Sequence, residues 1–225
     1  MKVLFFSDVH ASEEALAWVA RRGRDYDAIV VGGDLSRGDS GEFAARFLDG
    51  ALSTGRRVIF VHGNADRREM AVPEGVESLH GAASKLGRFS VGGLGGSSPT
   101  PFGTPFEMDD GSARSVLARL GHVDILVSHC PPVRTKCDRA RAGHVGSAPV
   151  REYVEREKPV LVLSGHVHES RAVDNVGGTT VVNAGPLADG CFAEVALDGV
   201  VTVELKVERL GAGEPARDQH IKPKG

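Results

Sequence analysis

The 225-residue chain has little cysteine, tryptophan or tyrosine: three Cys, one Trp and two Tyr. Cys130, Cys137 and Cys191 are sparse and odd in number, which excludes a disulfide framework and fits reduced thiols. Cys130 and Cys137 stand near His129 and His144, but no Cys-x-x-Cys pair completes a zinc knot. Net positive charge is also missing. With 27 Lys and Arg against 30 Asp and Glu the chain carries −3, so neither a nucleic-acid partner nor an anionic membrane surface is indicated for the protein as a whole. No apolar run approaches the length of a membrane span, and Met1-Lys2 leads directly into a short apolar run instead of a signal peptide; a cytoplasmic protein is expected. What is present, 41% hydrophobic and 25% charged residues, suits one globular domain with a sizeable core.

Short apolar runs alternate with amphipathic segments through the first half. Strands are expected at Val3–Phe6, Ala28–Val31 and Val58–Val61, with helices at Ser12–Arg22 and Ser40–Leu52 between them. Ser12 and Ser40 read as N-caps, each followed by acids in the first turn. This rhythm predicts crossover units and a largely parallel sheet. Between Ser84 and Leu94 glycine-broken runs suggest antiparallel strands, and Gly92 to Phe106 reads as a long loop, a lid or substrate wall. Helices at Ser112–Leu120 and Ala148–Glu157 lead to strands at Val123–Val127 and Val160–Leu163. The C-terminal part reads as strands at Thr179–Val182, Phe192–Leu197 and Val200–Val207, the last two joined by the hairpin signal Asp198-Gly199. The domain is expected to span residues 1–208, with 209–225 a mobile tail.

The informative pattern lies just beyond the apolar runs. Val3–Phe6 is followed by Asp8 and His10, Ile29–Val31 by Gly33-Asp34, and Ile59–Val61 by Gly63-Asn64-Ala65-Asp66. Ile125–Val127 is followed by Ser128-His129, and Leu161–Leu163 by Gly165-His166-Val167-His168. Turn or cap chemistry explains each residue singly: Asp8 and Ser12 before a helix, Asp34 and Asn64 in turns, Asp66 as a cap for Arg67–Met70. It gives no reason for five successive strand ends to carry Asp, His and Asn. In open α/β sheets, sites collect beyond the carboxyl ends of the strands, where these groups can converge.

Asp8-x-His10, Gly33-Asp34, Gly63-Asn64-x-Asp66, Ser128-His129 and Gly165-His166-x-His168, in this order, resemble the motifs of the calcineurin-like metallophosphoesterases, in particular their small prokaryotic phosphodiesterase-like branch. The match runs from Val3 to about Pro186. The resemblance implies an α/β fold, a four-layer α/β/β/α sandwich of two mixed sheets. It further implies two divalent transition-metal ions (Mn, Fe, Zn or Co). One would be held by Asp8, His10, Asp34 and His168; the other by Asp34, Asn64, His129 and His166, with Asp34 bridging. Mixed imidazole and carboxylate donors suit such metals and suit calcium poorly. The implied activity is phosphodiester hydrolysis by in-line attack of a metal-bridging hydroxide. With both ions, two carboxylates and that hydroxide, the centre keeps a charge of about +1, which attracts phosphate.

Catalytic work would fall to Asp34, Asn64 and His129, with Asp66 behind them orienting a histidine or a backbone turn. Many family members have histidine where this chain has Ala65, so acid assistance to the leaving group is lost there. His62 or His144 are the candidates to replace it. Arg134 and Lys136 are candidates to reach substrate, and Asn183 to line the site. The expected partner is a small phosphoester, with no membrane; a homo-oligomer is compatible with the composition. A phosphomonoesterase or protein phosphatase and a non-catalytic metal-stabilised scaffold are the alternatives, but all seven ligand positions are filled, which favours an enzyme.

Overall fold

The computed structural model describes residues 1–38 and 41–211. The strands are β1 (Lys2–Phe6), β2 (Ala28–Val31), β3 (Arg57–Phe60), β4 (Val76–Ser78), β5 (Ala83–Leu86), β6 (Phe89–Leu94) and β7 (Ile125–Ser128). They continue as β8 (Arg139–Ala140), β9 (Gly143–His144), β10 (Leu161–Ser164), β11 (Ala172–Val176), β12 (Thr179–Asn183), β13 (Cys191–Asp198) and β14 (Val200–Val207). The helices are α1 (Glu13–Arg22), α2 (Glu42–Leu52), α3 (Asp110–Leu120) and α4 (Ala148–Glu157).

Two six-stranded mixed sheets result, ordered β14-β13-β1-β2-β3-β4 and β11-β12-β10-β7-β6-β5, while β8 and β9 form a separate small hairpin. The centre of each sheet is parallel, and β13, β14, β5 and β11 are the antiparallel additions. Central strands are buried on both faces, which is why they read as unbroken apolar runs. Alternate residues separate into distinct cores: Leu4, Phe6, Ile29 and Phe60 pack under Trp18 of α1 and Phe47 of α2. Val3, Phe5, Val30 and Ile59 face Val91, Ile125, Val127 and Leu163 of the other sheet. Leu126, Val162 and Val181 pack under Leu117 of α3 and Tyr153 and Val154 of α4. These cores define the four layers, helix, sheet, sheet, helix, that the motif resemblance implies.

Several boundaries differ from expectation. Gly92–Leu94 belongs to β6, not to the loop, because its backbone pairs in parallel with Leu126–Ser128. Helix α3 starts at Asp110 because the Asp109 carboxylate accepts from Ser112 N at 2.8 Å and caps it. Helix α2 begins after Gly41 at φ 82°; Ser40, expected as its cap, lies outside the described residues. Strands β4 and β11 have no counterpart among the expected elements, since their residues are partly exposed and offer no apolar run. Of the expected C-terminal tail, Leu210 packs against the core beneath α1 and α2, and residues 212–225 lie outside the described residues.

Candidate metal centre

Both sheets direct their parallel strand ends to one place. Asp8 and His10 follow β1, Asp34 follows β2 and Asn64 follows β3; His129 follows β7, and His166 and His168 follow β10. The first two loops are zipped together beyond their strands: Asp8 N donates to Gly33 O, Val9 N and His10 N to Asp34 O, and Ala11 N to Leu35 O, each at 2.9 Å. This pairing holds side-chain-bearing residues in left-handed backbone, with φ of 59° at Asp8, 49° at His10, 58° at Ala11 and 53° at Asp34; His166, in the loop after β10, is left-handed at φ 69° with its N–H on the Asp8 carboxylate. Each costs about 1–2 kcal/mol, so the cross-loop bonds must sustain a conformation the free chain avoids.

The glycines of the motifs have a steric cause. A Cβ on Gly63 would overlap the Asp34 carboxylate, and one on Gly165 would overlap the Asp8 carboxylate and Ser7. Before Asn64 and before His166 the chain is bare so that the neighbouring carboxylate can enter.

Among the described residues, Asp8, His10 and His168 form one group, and Asp8, Asp34 and His129 another, the ligand atoms of each lying within 4.8 Å of one another. His10 Nε2 stands 3.1 Å from His168 Nε2, and Asp8 Oδ1 lies 3.4 Å from His168 Nε2 and 4.0 Å from His10 Nε2. His129 Nδ1 donates to the Gly32 carbonyl at 2.7 Å. That bond leaves Nε2 of the neutral ring as an acceptor, 3.4 Å from Asp34 Oδ1 and 3.0 Å from Asn64 Oδ1. The His166 ring stands 5.1 Å from that of His129, and its backbone N donates to both Asp8 oxygens. Asp8 thus belongs to both groups, and Asp34, to which the motif resemblance gives the bridging place, belongs to the second beside His129.

Asp8, Asp34 and His129 concentrate charge in the interior, while His168 is exposed at the edge of the group. Burial would raise both carboxyls, but His168, His129 and His10 hold Asp8 well below the usual range, and His129 with the Ala65 amide does so for Asp34. Burial works against protonation of His129, yet Asp34, Asp8 and the Gly32 carbonyl push it up to about 9. Burial and the charge on His129 bring His166 down to about 4. Carboxylate and amide oxygens and imidazole nitrogens thus face one another in pairs and triples, an arrangement that requires a proton, as on His129, or a cation in its place.

Asp66 does not touch this group by a hydrogen bond, nor does it cap a helix. Its carboxylate accepts from Gly63 N and Ser36 N, both at 2.9 Å, and from Ser36 Oγ at 3.1 Å. It ties the Asn64 turn to the Asp34 loop. Asn183, expected to line the site, is buried and donates to Cys137 O and Val167 O at 3.0 and 2.8 Å. His62 is packed 4.6 Å from the Phe60 ring and 6.2 Å from that of Phe106, and His144 is bonded to Asp138. Neither histidine is hydrogen-bonded to a member of the cluster.

Two features are absent from the sequence reading. Arg37 lines an open cleft of about 340 Å³ with His10, Ala65, His168 and Pro186, and its Nε donates to His10 O at 2.7 Å. The loop after β6 is a brace. Asn64 Nδ2 donates to Thr104 Oγ1 at 3.0 Å, Thr104 Oγ1 donates to Glu107 Oε1 at 2.6 Å, and Phe106 N donates to Asn64 O at 3.0 Å. The Thr104 and Thr100 hydroxyls, against a burial effect of opposite sign, hold Glu107 down at about 2. Thr104-Pro105-Phe106-Glu107 is a Thr-x-x-Glu pattern, a sequence signal that was present. By occupying the amide nitrogen, Thr104 turns Asn64 Oδ1 toward His129. Thr104→Val is accordingly expected to weaken binding of Mn²⁺ by about 10- to 100-fold in calorimetric titration, with Thr104→Ser restoring it. Equal affinities in all three proteins would remove the brace from the site.

The comparisons agree with this architecture. The profile of the family described as calcineurin-like phosphoesterase matches residues 1–170. Protein MJ1162 of Methanocaldococcus jannaschii is 32% identical over 204 residues, covering 83% of this chain and 88% of its own. The crystal structure of TT1561 of Thermus thermophilus superposes with a TM-score of 0.71 at 19% identity, over 92% of this chain and 98% of that one. A phosphatase from Mycoplasma pneumoniae gives a TM-score of 0.53 at 12% identity, over 92% and 93% of the two chains. The structural likenesses are likenesses of fold. With the profile match over residues 1–170 and the Methanocaldococcus relative, the chain belongs to the calcineurin-like phosphoesterase family.

Proposed function

We propose that the protein is a phosphodiesterase that works with two divalent transition-metal ions and acts on a small phosphoester. Family membership supports metal-dependent phosphoester hydrolysis, and no helix among the described residues is long and apolar enough to cross a membrane. The observation that carries the reading is the convergence of ligand atoms: Asp8 Oδ1 with two imidazole Nε2 atoms, and Asp34 Oδ1 and Asn64 Oδ1 with a third whose Nδ1 is already committed. This donor set fits borderline divalent ions, Mn, Fe, Zn or Co, better than calcium.

Asp8, His10 and His168 would hold one ion, and Asn64, His129 and His166 the other, with Asp34 between them. When bound, such ions acidify water and neutralise charge on phosphoryl oxygens. The chain does the rest. Asp8 and Asp34 set the net charge of the centre, His129 is fixed in one tautomer by Gly32, and Asp66 holds the Asn64 turn in register with the Asp34 loop. Arg37 gives the cleft a cation beside His10 and His168 for the anionic ester. At Ala65 the backbone N donates to Asp34 Oδ1 at 2.7 Å, and the side chain has no proton to give.

The test compares bis(p-nitrophenyl) phosphate with p-nitrophenyl phosphate, using metal-stripped protein with and without Mn²⁺. Metal-dependent cleavage favouring the diester is expected, with Asp34→Asn lowering it about 10³-fold. Preference for the monoester would make the protein a phosphomonoesterase. Metal binding without turnover of either ester would make it a scaffold.

A further inference from the structure

A groove lined by basic side chains adjoins the centre. Lys136, Arg139 and Arg141 line an open groove of about 770 Å³ together with Arg171, Ser170 and Glu169. The side chains of Lys136, Arg139 and Arg141 are exposed and make no hydrogen bond or ion pair among the described residues. Glu169 is the one carboxylate of the lining; Asp174, nearby, is engaged by Lys136 N at 2.8 Å. On a chain of net charge −3, four cations against one carboxylate form a local excess of positive charge.

The groove is built against the proposed centre. Its Glu169 and Ser170 sit in the helical turn that opens with His168, whose own side chain faces the cleft with His10 and Arg37. The cation-bearing hairpin is fastened to that turn by Ser170 Oγ donating to Arg139 O at 2.5 Å. Buried Asn183 fastens it again, bridging Cys137 O and Val167 O. The two cavities therefore share one turn, His168 lining the first and Glu169 and Ser170 the second.

We propose that this groove binds a second phosphate of the substrate, so that the natural diester is a small polyanion rather than a singly charged ester. The proposal rests on the phosphodiesterase reading for its chemistry, but the groove is defined by residues outside the centre. Its volume lies in the range of small-molecule sites, and the absence of excess basic charge elsewhere favours a compact polyanion over a nucleic-acid strand.

The test uses matched esters: thymidine 5′-(p-nitrophenyl phosphate) and the same compound carrying a 3′-phosphate. KM is expected to be about tenfold lower for the 3′-phosphorylated ester, and the ratio is expected to fall to near one in Arg139→Ala/Arg141→Ala and to recover in part with lysine at both positions. A ratio near one in the parent protein, or one unchanged in the alanine variant, overturns the groove. Calorimetric titration with thymidine 3′,5′-bisphosphate and thymidine 5′-monophosphate separates the two proposals. If no ester turns over but the bisphosphate binds about tenfold tighter, and the variant loses that advantage, the groove stands and the hydrolase reading falls. Equal binding of both nucleotides overturns the groove whatever the turnover. Single-stranded DNA binding that strengthens with length beyond the bisphosphate overturns the small-substrate assignment in favour of nucleic acid.

Discussion

An aryl phosphodiester is expected to be cleaved far faster than its alkyl counterpart, with the gap tracking the acidity of the leaving alcohol. Ala65 is the cause. It lines the cleft beside His10 and His168, and the cation of that cleft, Arg37, carries a guanidinium, a group that does not release its proton in proteins and so cannot act as an acid. General acid catalysis is typically worth about 10²- to 10⁴-fold, and a phenolate leaves without it whereas an alkoxide does not. The measurement is a plot of log kcat/KM against leaving-group pKa for a series of thymidine 5′-esters. A steep negative slope is expected. Ala65→His should flatten it by raising the alkyl rates about 10²-fold while moving the aryl rates little. A shallow slope in the parent protein would mean that another group delivers the proton.

Gly165→Ala is expected to damage both stability and metal binding. A methyl group there would overlap the Asp8 carboxylate and Ser7, both fully buried, so neither neighbour has free space to move into. Overpacking of this kind costs about 1–3 kcal/mol, and displacement of Asp8 also breaks its bonds from His166 N. Thermal unfolding in chelator reads the packing loss, and Mn²⁺ titration reads the displaced carboxylate; a fall of at least about 10²-fold in affinity is expected. An unchanged affinity would show that the loop after β10 shifts as a unit and that Asp8 stays in place.

The central strands were legible in sequence because both of their faces are buried, and the ligand types were legible because each apolar run stops at a polar residue. Val3–Phe6 ending before Asp8 and Leu161–Leu163 ending before His166 are such cases. The edges were not. Strand β11, with Val173 and Asn175 exposed, has neither an apolar run nor a clean alternation of the kind a one-sided strand shows. Two aspects of the centre were also hidden. Asp8 is common to both groups because of how the first two loops pair, a matter of backbone hydrogen bonds that no composition reveals. The brace from Thr104 to Asn64 joins residues 40 positions apart, and only the path of the intervening β5 and β6 brings them together.

The division of the cluster between two sheets bears on how the molecule is made. His10 and His168 are separated by 158 positions, and Asn64 and His129 by 65, yet each pair meets side chain to side chain. Contacts this remote in sequence require closure of long loops before they return any stabilisation, so they are completed late and slow the search for the native state. A ribosome must release residue 168 before the cluster can close on residue 10. Until then the β1–α1–β2–α2–β3 half presents Val3, Phe5, Val30 and Ile59 without the sheet that covers them, an exposed apolar face during synthesis. Refolding should therefore show a slow phase in which the Asp and His cluster and the inter-sheet core appear together, after most helical signal has returned.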